Sequence, residues 1–369
     1  MEKIIKEAIY IQSPTYIGSY KEEDCIFLLK DISHLVTEKD DKEREEDIND
    51  GVHYSQMLPF EDTPSDEYMN IFYESLKENA MKVAVNTLRI CEQILKNKGN
   101  DVILVSLARG GTPVGVLAKR YIKYKYNIDC PHYSLSIIRD KGLDENALIY
   151  IINKHKSTNI QFIDAWTGKG VVNHTLEKAC REFNMKYEVD IDSGLAVLSD
   201  VGRCAKIYGT REDFLIPSAC LNSTGSGLIS RTFLDDKIIS KHDFHGAKYY
   251  SNWKDIDCSN YFVDYISELF EKIDTKSGDK YTDINIKTAR EDLIDIQKRF
   301  GVDSIRKIKA GIGETTRVLL RKIPYKILVS DINNPNVKYV LLLAKDRGIP
   351  IEIYKDMNYL CCALVTFAE

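Results

Sequence analysis

The stretch Ile160-Gln161-Phe162-Ile163-Asp164-Ala165-Trp166-Thr167-Gly168-Lys169-Gly170-Val171-Val172 restricts the folds open to this chain more than any other. An apolar run ends in a carboxylate, passes through a Thr-Gly-Lys-Gly turn and resumes at helical spacing. That pattern predicts a buried parallel strand, a tight loop and a helix N-terminus. At such a junction the N–H groups of a glycine loop and the positive end of the helix dipole converge, which makes Thr167, Gly168, Lys169 and Gly170 candidates for holding a phosphate. Asp164, at the carboxyl end of the strand, is placed to accept from sugar hydroxyls or to hold magnesium through water. An ordinary strand-to-helix turn carries the same local sequence, so neighbouring segments must decide.

Strand patterns over 102–105, 133–138, 160–164 and 195–198 alternate with helical patterns over 113–126, 144–155 and 171–182. Alternation of this kind predicts an α/β fold, a doubly wound and mostly parallel sheet covered by helices on both faces. Ligands of such sheets bind beyond the carboxyl ends of the strands, so the loops leaving them matter most. In Ser106-Leu107-Ala108-Arg109-Gly110-Gly111-Thr112-Pro113 the two glycines admit a ligand close to the backbone, Arg109 offers a fork of donors suited to pyrophosphate, and Pro113 suits a first helical turn. The next loop, Arg139-Asp140-Lys141-Gly142-Leu143-Asp144, sets two cations beside a glycine and reads as a lid over a polyphosphate or as a solvated turn.

Around this core we divide the chain into an N-terminal extension (1–66), a main domain (67–273), a polar linker (274–284) and a C-terminal domain (285–369). The extension contains an acidic run over 38–50 that reads as an exposed loop or solvated helix face. A one-sided apolar pattern over 65–95 predicts a long packed helix, with Ser65 as its N-cap. The whole chain carries −5, but residues 285–369 hold 15 Lys and Arg against 10 Asp and Glu, leaving 36 against 46 in the rest. The split, +5 against −10, suggests different partners for the two parts. Nine cysteines form no Cys-x-x-Cys pair, and the opening Met-Glu-Lys-Ile-Ile-Lys-Glu lacks the apolar core of a signal peptide. Reduced thiols in a cytoplasm are therefore expected, with no membrane span.

Between Asp200 and Trp253 small and polar residues dominate, including Ser230 and Arg231, and loops with this chemistry commonly select the acceptor. His242 and His245 complete no metal-ligand spacing. Cys204 or Cys220, with His245, admits a cysteine-nucleophile reading, although most cysteines are buried apolar residues.

On these loops the chain resembles the type I phosphoribosyltransferases, which carry an Ala-Arg-Gly-Gly loop, a flexible loop and an acid-bearing strand followed by Thr-Gly. More closely, it resembles the bacterial stress-associated StiP family of tellurite-resistance gene neighbourhoods, which also bears a cysteine-protease label. That resemblance rests on His53-Tyr54-Ser55-Gln56-Met57, the Ser106–Gly115 loop, Asp164-Ala165-Trp166-Thr167-Gly168-Lys169-Gly170 and Gly227-Leu228-Ile229-Ser230-Arg231-Thr232. The pattern departs from the transferases in having Asp164 alone where two adjacent acids are usual; Trp166 either stacks on a ring or packs.

The resemblance implies a magnesium-dependent enzyme transferring the phosphoribosyl group of 5-phosphoribosyl 1-pyrophosphate to an unknown base-like acceptor. Asp164, Arg109, Arg139 and Lys141 would be catalytic. Ser106, Ala108, Gly110, Gly111, Trp166, Thr167, Gly168, Lys169, Gly170, Ser230 and Arg231 would bind substrate, and Asp164 would face the metal indirectly.

The last 85 residues or so resemble a small α/β/α Pelota-type RNA-binding domain. On the family's RNA-reading turn the chain has Gly311-Ile312-Gly313-Glu314-Thr315-Thr316-Arg317, so Gly311, Gly313, Glu314, Arg317 and Arg321 are the RNA-contacting candidates. Two rival functions stand beside the transferase: a non-catalytic nucleotide sensor acting through RNA, and a cysteine hydrolase using Cys204 or Cys220. A homodimer is a candidate assembly.

Overall fold

The computed structural model describes residue 5, residues 11–274 and residues 288–366. The expected linker, apart from its first residue, falls outside the described residues. The central sheet is built from six parallel strands in the order Ile26–Leu28, His132–Ile138, Ile103–Ala108, Ile160–Thr167, Leu195–Asp200 and Ile207–Thr210. A two-residue strand, Gly142–Leu143, pairs antiparallel with His132–Ile138. The chain is thus α/β with a mostly parallel sheet.

The period-two pattern of the central strands decides which face each residue serves. Ile163 and Ala165 join the core made with the helices Asp66–Lys98 and Thr112–Tyr126, whereas Ile160 and Phe162 join the opposite core, made with Glu145–His155 and Val171–Tyr187. Fully burying such a side chain contributes about 1.5–3 kcal/mol, which is why the register of these strands is firm. The long helix starts at its expected N-cap, with the Tyr68 N–H donating to Ser65. The acidic run forms the helix Asp41–Asn49, begun by a capping box between Asp40 and Glu43.

The C-terminal part builds a second, four-stranded sheet in the order Ile308–Ala310, Cys361–Leu364, Lys326–Val329, Ile351–Ile353. Its helix Ile312–Arg321 does not face water on its apolar side. Ile312, Leu319 and Leu320 join the same buried cluster as Ile216, Cys220 and Leu221 of the first part, so one core runs across the junction. No helix among the described residues is long and apolar enough to cross a membrane.

Candidate functional site

Ile103–Ala108 and Ile160–Thr167 are neighbours in the sheet, yet after the first the chain crosses to one side and after the second to the other. Their carboxyl ends therefore gape at a switch point, where open α/β sheets hold ligands. A cleft of about 920 Å³ opens there, walled by Ala108, Arg109, Gly110, Arg139, Asp164, Lys169, Gly170, Cys204 and Arg231 on one side. The other wall comes from the C-terminal domain through Lys309, Glu314, Arg317 and Arg321.

The glycine of the first loop is demanded by close approach. A Cβ on Gly111 would lie 2.5 Å from the Ile163 carbonyl oxygen, so the helix starting at Thr112 can crowd the neighbouring strand only with glycine there. Gly170, at φ +77°, is the N-cap of Val171–Tyr187 and supplies no side-chain cap, which leaves that helix end open to the cleft.

The strand runs further than its apolar pattern predicts. Trp166 pairs with Ser199 and Thr167 with Asp200, so both belong to the sheet, and the loop shrinks to Gly168, Lys169 and Gly170. The Thr167 hydroxyl donates to Asp200 Oδ1 at 2.7 Å and accepts from the Gly202 N–H at 2.9 Å. Asp200 Oδ1 also takes the N–H groups of Cys204 and Ala205, at 3.0 and 3.1 Å. This carboxylate folds the 200–205 loop back on the sheet and sets Cys204 beside the helix start, where a Cβ on Gly170 would be 3.6 Å from Cys204 Sγ.

Arg109 is engaged. Its guanidinium donates to Glu61 Oε1 at 2.5 Å, to the Ile229 carbonyl at 3.0 Å and to Asn222 Oδ1 at 3.2 Å. The Arg139 N–H donates to the Tyr54 hydroxyl at 2.8 Å, and the guanidiniums of Arg139 and Arg231 stand over the Tyr54 ring at 5.2 and 4.9 Å.

Crowding and burial move several groups toward neutrality. Burial raises Asp164 to about 7, with Glu314 adding to the shift and the Ala165 N–H and Arg317 opposing it. Burial, with Lys309 and Arg139 nearby, lowers Lys169 to about 8. Arg321 is exposed by area but ringed by protein inside the cleft; that environment, with Arg317 and Arg109, lowers it to about 9. Burial, with Asp200 and Glu177, pushes the Cys204 thiol up to about 12, against an opposing hydrogen bond from Thr167.

The turn expected to read RNA faces the first domain. A Cβ on Gly313 would sit 3.1 Å from the Trp166 ring, the Ile312 N–H donates to Asp213 Oδ1 at 2.9 Å, and the Leu360 N–H donates to Asp213 Oδ2 at 3.0 Å. The Tyr359 hydroxyl donates to the Gly168 carbonyl at 3.1 Å, and Lys169 Nζ to the Ile305 carbonyl at 3.2 Å. Arg321 donates to Asn222 Oδ1. The Gly-Lys-Gly loop thus serves as a docking surface, and Trp166 packs.

Other expected site residues lie elsewhere. Ser106 is fully buried and bonded to His132, Ser230 donates to the Arg231 carbonyl, and Lys141 is not among the cleft-lining residues. Cys220 is buried in the core. His245 pairs with Ser136 at 2.8 Å, and no cysteine among the described residues is hydrogen-bonded to a histidine. Asp164 has the Glu314 carboxylate and the Arg317 guanidinium in its surroundings, and among the described residues no set of three or more His, Cys, Asp or Glu is arranged to hold a metal ion. Glu61, Asn222, Asp213 and Tyr359 escaped notice because nothing local marks them; each acts on a partner remote in sequence.

Residues 18–267 match the family model described as "Tellurite-like stress resistance cysteine protease StiP", and residues 287–366 match "PELOTA RNA binding domain". A protein of Acinetobacter baylyi named "Cysteine protease StiP" is 30% identical over 354 residues, covering 92% of this chain and 91% of its own length. These matches overturn the expected phosphoribosyltransferase: the pentosyl transfer from 5-phosphoribosyl 1-pyrophosphate, its base-like acceptor and its classification as a glycosyltransferase are corrected in favour of the cysteine-hydrolase alternative. The geometry gives physical reasons. Arg109 is tied to Glu61 and the Thr167 hydroxyl to Asp200, so two of the groups expected to hold phosphates are engaged in internal contacts.

Proposed function

The chain belongs to the StiP family, and from that premise we propose that it is a cysteine-dependent hydrolase of acyl bonds, peptides first among them, with Cys204 as nucleophile in the cleft between the two domains. One observation carries the assignment. Eight of the nine cysteines are buried, whereas Cys204 is half-buried and lines the cleft. Its sulfur also lies at the open start of a helix, whose N–H groups and dipole suit the oxyanion that forms on attack.

With the thiol near 12 and no histidine bonded to it, Cys204 rests protonated at neutral pH and needs a base. We assign that role to Lys169, which lines the same cleft as Cys204, is lowered to about 8, and would have to turn from the Ile305 carbonyl to reach the thiol. The thiol proton passes to the lysine amine while sulfur attacks the acyl carbon; the lysine then protonates the departing amine, and water hydrolyses the thioester. Complete proton transfer before attack would be uphill by roughly 5 kcal/mol, so the transfer accompanies bond formation. Such acyl transfer requires no metal ion. The parallel sheet is read as phosphoribosyltransferase-like in architecture alone, since a fold does not bring its activity with it.

The test is turnover of a peptide library by the full chain, with intact-mass detection of an acyl-enzyme. Cys204→Ala should lose both, Cys220→Ser should keep both, and Lys169→Met should slow cleavage by about a hundredfold or more. Unchanged turnover in Cys204→Ala removes the proposed nucleophile. RNA association of the C-terminal domain is a second reading, supported by the match over 287–366 and by the +5 balance of 285–369.

A further inference from the structure

The cleft is cationic in an acidic protein. Its lining holds ten Lys and Arg side chains against six Asp and Glu, while the whole chain carries −5. The crowding is visible in bonds as well as in counts. Arg109 of the first domain and Arg321 of the second both donate to Asn222 Oδ1, so two guanidiniums converge on one neutral oxygen. Like charges gathered this way repel one another, and each hydrogen-bonded anion brought between them relieves the repulsion. The depressed Arg321 and Lys169 are what such crowding and burial produce.

Shape and chemistry narrow the anion. The turn at Gly313 is pressed on the Trp166 ring and the Tyr54 ring already carries Arg139 and Arg231, so stacking is left to Phe60 and Tyr68 at the far rim, away from the Gly313 turn, where an apolar peptide side chain fits as well as a base. Glu314, which pairs with Arg317 at 3.2 Å, and Asp62 interrupt the cationic wall, which disfavours a uniform polyphosphate chain but suits a peptide of mixed side chains whose carboxylate would share or replace Glu314 on Arg317. About 920 Å³ holds a few residues of extended chain.

We propose that the substrate of this cleft is an acidic peptide segment, whose carboxylate is held by Arg317 and Arg321 of the C-terminal domain while Cys204 addresses a nearby backbone carbonyl. The assignment rests on the Cys204 hydrolase reading, and it makes the C-terminal domain part of substrate selection. A carboxylate entering here would accept from the Arg321 fork in place of the shared Asn222 oxygen.

The experiment compares matched Glu-, Gln- and Lys-containing peptides on the full-length protein. The Glu peptide should exceed its Gln counterpart at least tenfold in kcat/KM. Arg321→Gln should bring the ratio near one, whatever its effect on the rate with the Gln peptide, and Arg317→Gln should lower it as well. Equal cleavage of Glu and Gln peptides, or a ratio unmoved in both variants, overturns the proposal. The same labelled peptides are titrated into Cys204→Ala by fluorescence anisotropy, which separates the two readings. Preference for the Glu peptide without turnover in the wild type would support acidic recognition and sink the hydrolase. Absence of preference, or displacement of bound Glu peptide by single-stranded RNA at far lower concentrations than by unlabelled peptide, overturns acidic-peptide recognition.

Discussion

Asp213 should be the clamp on which the cleft's second wall depends. Its side chain is buried, and its two oxygens accept the Ile312 and Leu360 N–H groups of the C-terminal domain at 2.9 and 3.0 Å. Replacing it with alanine strands both donors in the interior at about 1–3 kcal/mol each, so a total loss of roughly 2–6 kcal/mol is expected. Burial raises this carboxyl to about 6, against an ordinary value of 3.8. The folded state therefore binds a proton that the unfolded state has released between about pH 4 and 6. Over that window the contribution of Asp213 to stability falls as pH rises, by roughly 3 kcal/mol in all, and it is flat above. Asp213→Ala lacks this slope, so its deficit against the wild type should be larger at pH 4 than at pH 7. Chemical denaturation at the two pH values measures the difference, and hydrogen exchange reads the Ile312 and Leu360 amides directly. Wild-type protection of both amides in Asp213→Ala would refute the clamp.

Two further outcomes follow from the same geometry. With its pKa raised, the Cys204 thiol should react with iodoacetamide slowly at pH 7 and about tenfold faster for each pH step up to 10; a rate that levels off below pH 8 would show a resting thiolate and displace Lys169 as base. Full-length protein should bind RNA weakly, with affinity falling as salt rises, and Asp213→Ala should bind more tightly because undocking frees the Gly311–Arg317 turn; equal binding by the two proteins would place any RNA surface away from that turn.

Four central strands were legible because they are buried on both faces and each crossover helix has an apolar stripe, so periodicity sets their type; their order in the sheet and the edge strand Ile207–Thr210 are fixed by pairing that periodicity does not report. The strands Ile308–Ala310 and Cys361–Leu364 were not foreseen: three and four residues leave too few turns of the pattern to tell a strand from a loop. The extension of the Ile160 strand through Trp166 and Thr167 was hidden for another reason. It is fixed by pairing with Ser199 and Asp200, which the local sequence cannot report.

The Gly-Lys-Gly loop marks where the sequence is ambiguous. A loop that cradles phosphate and a loop that docks a second domain both need small residues, free backbone polar groups, a nearby cation and a helix N-terminus. What separates them is who arrives: here Tyr359 reaches the Gly168 carbonyl and the Ile305 carbonyl receives Lys169, both from beyond residue 285. The distinguishing residues lie more than a hundred positions away and look ordinary where they stand, a tyrosine before a short strand and an isoleucine in a turn. Cys204 was ambiguous for the same reason, since its placement beside Gly170 is made by Asp200 folding the 200–205 loop, and only that fold separates a cleft thiol from the buried Cys220. A site assembled by docking two domains is encoded in the contacts that hold them, so perturbing those contacts is as direct a test of its chemistry as replacing the nucleophile.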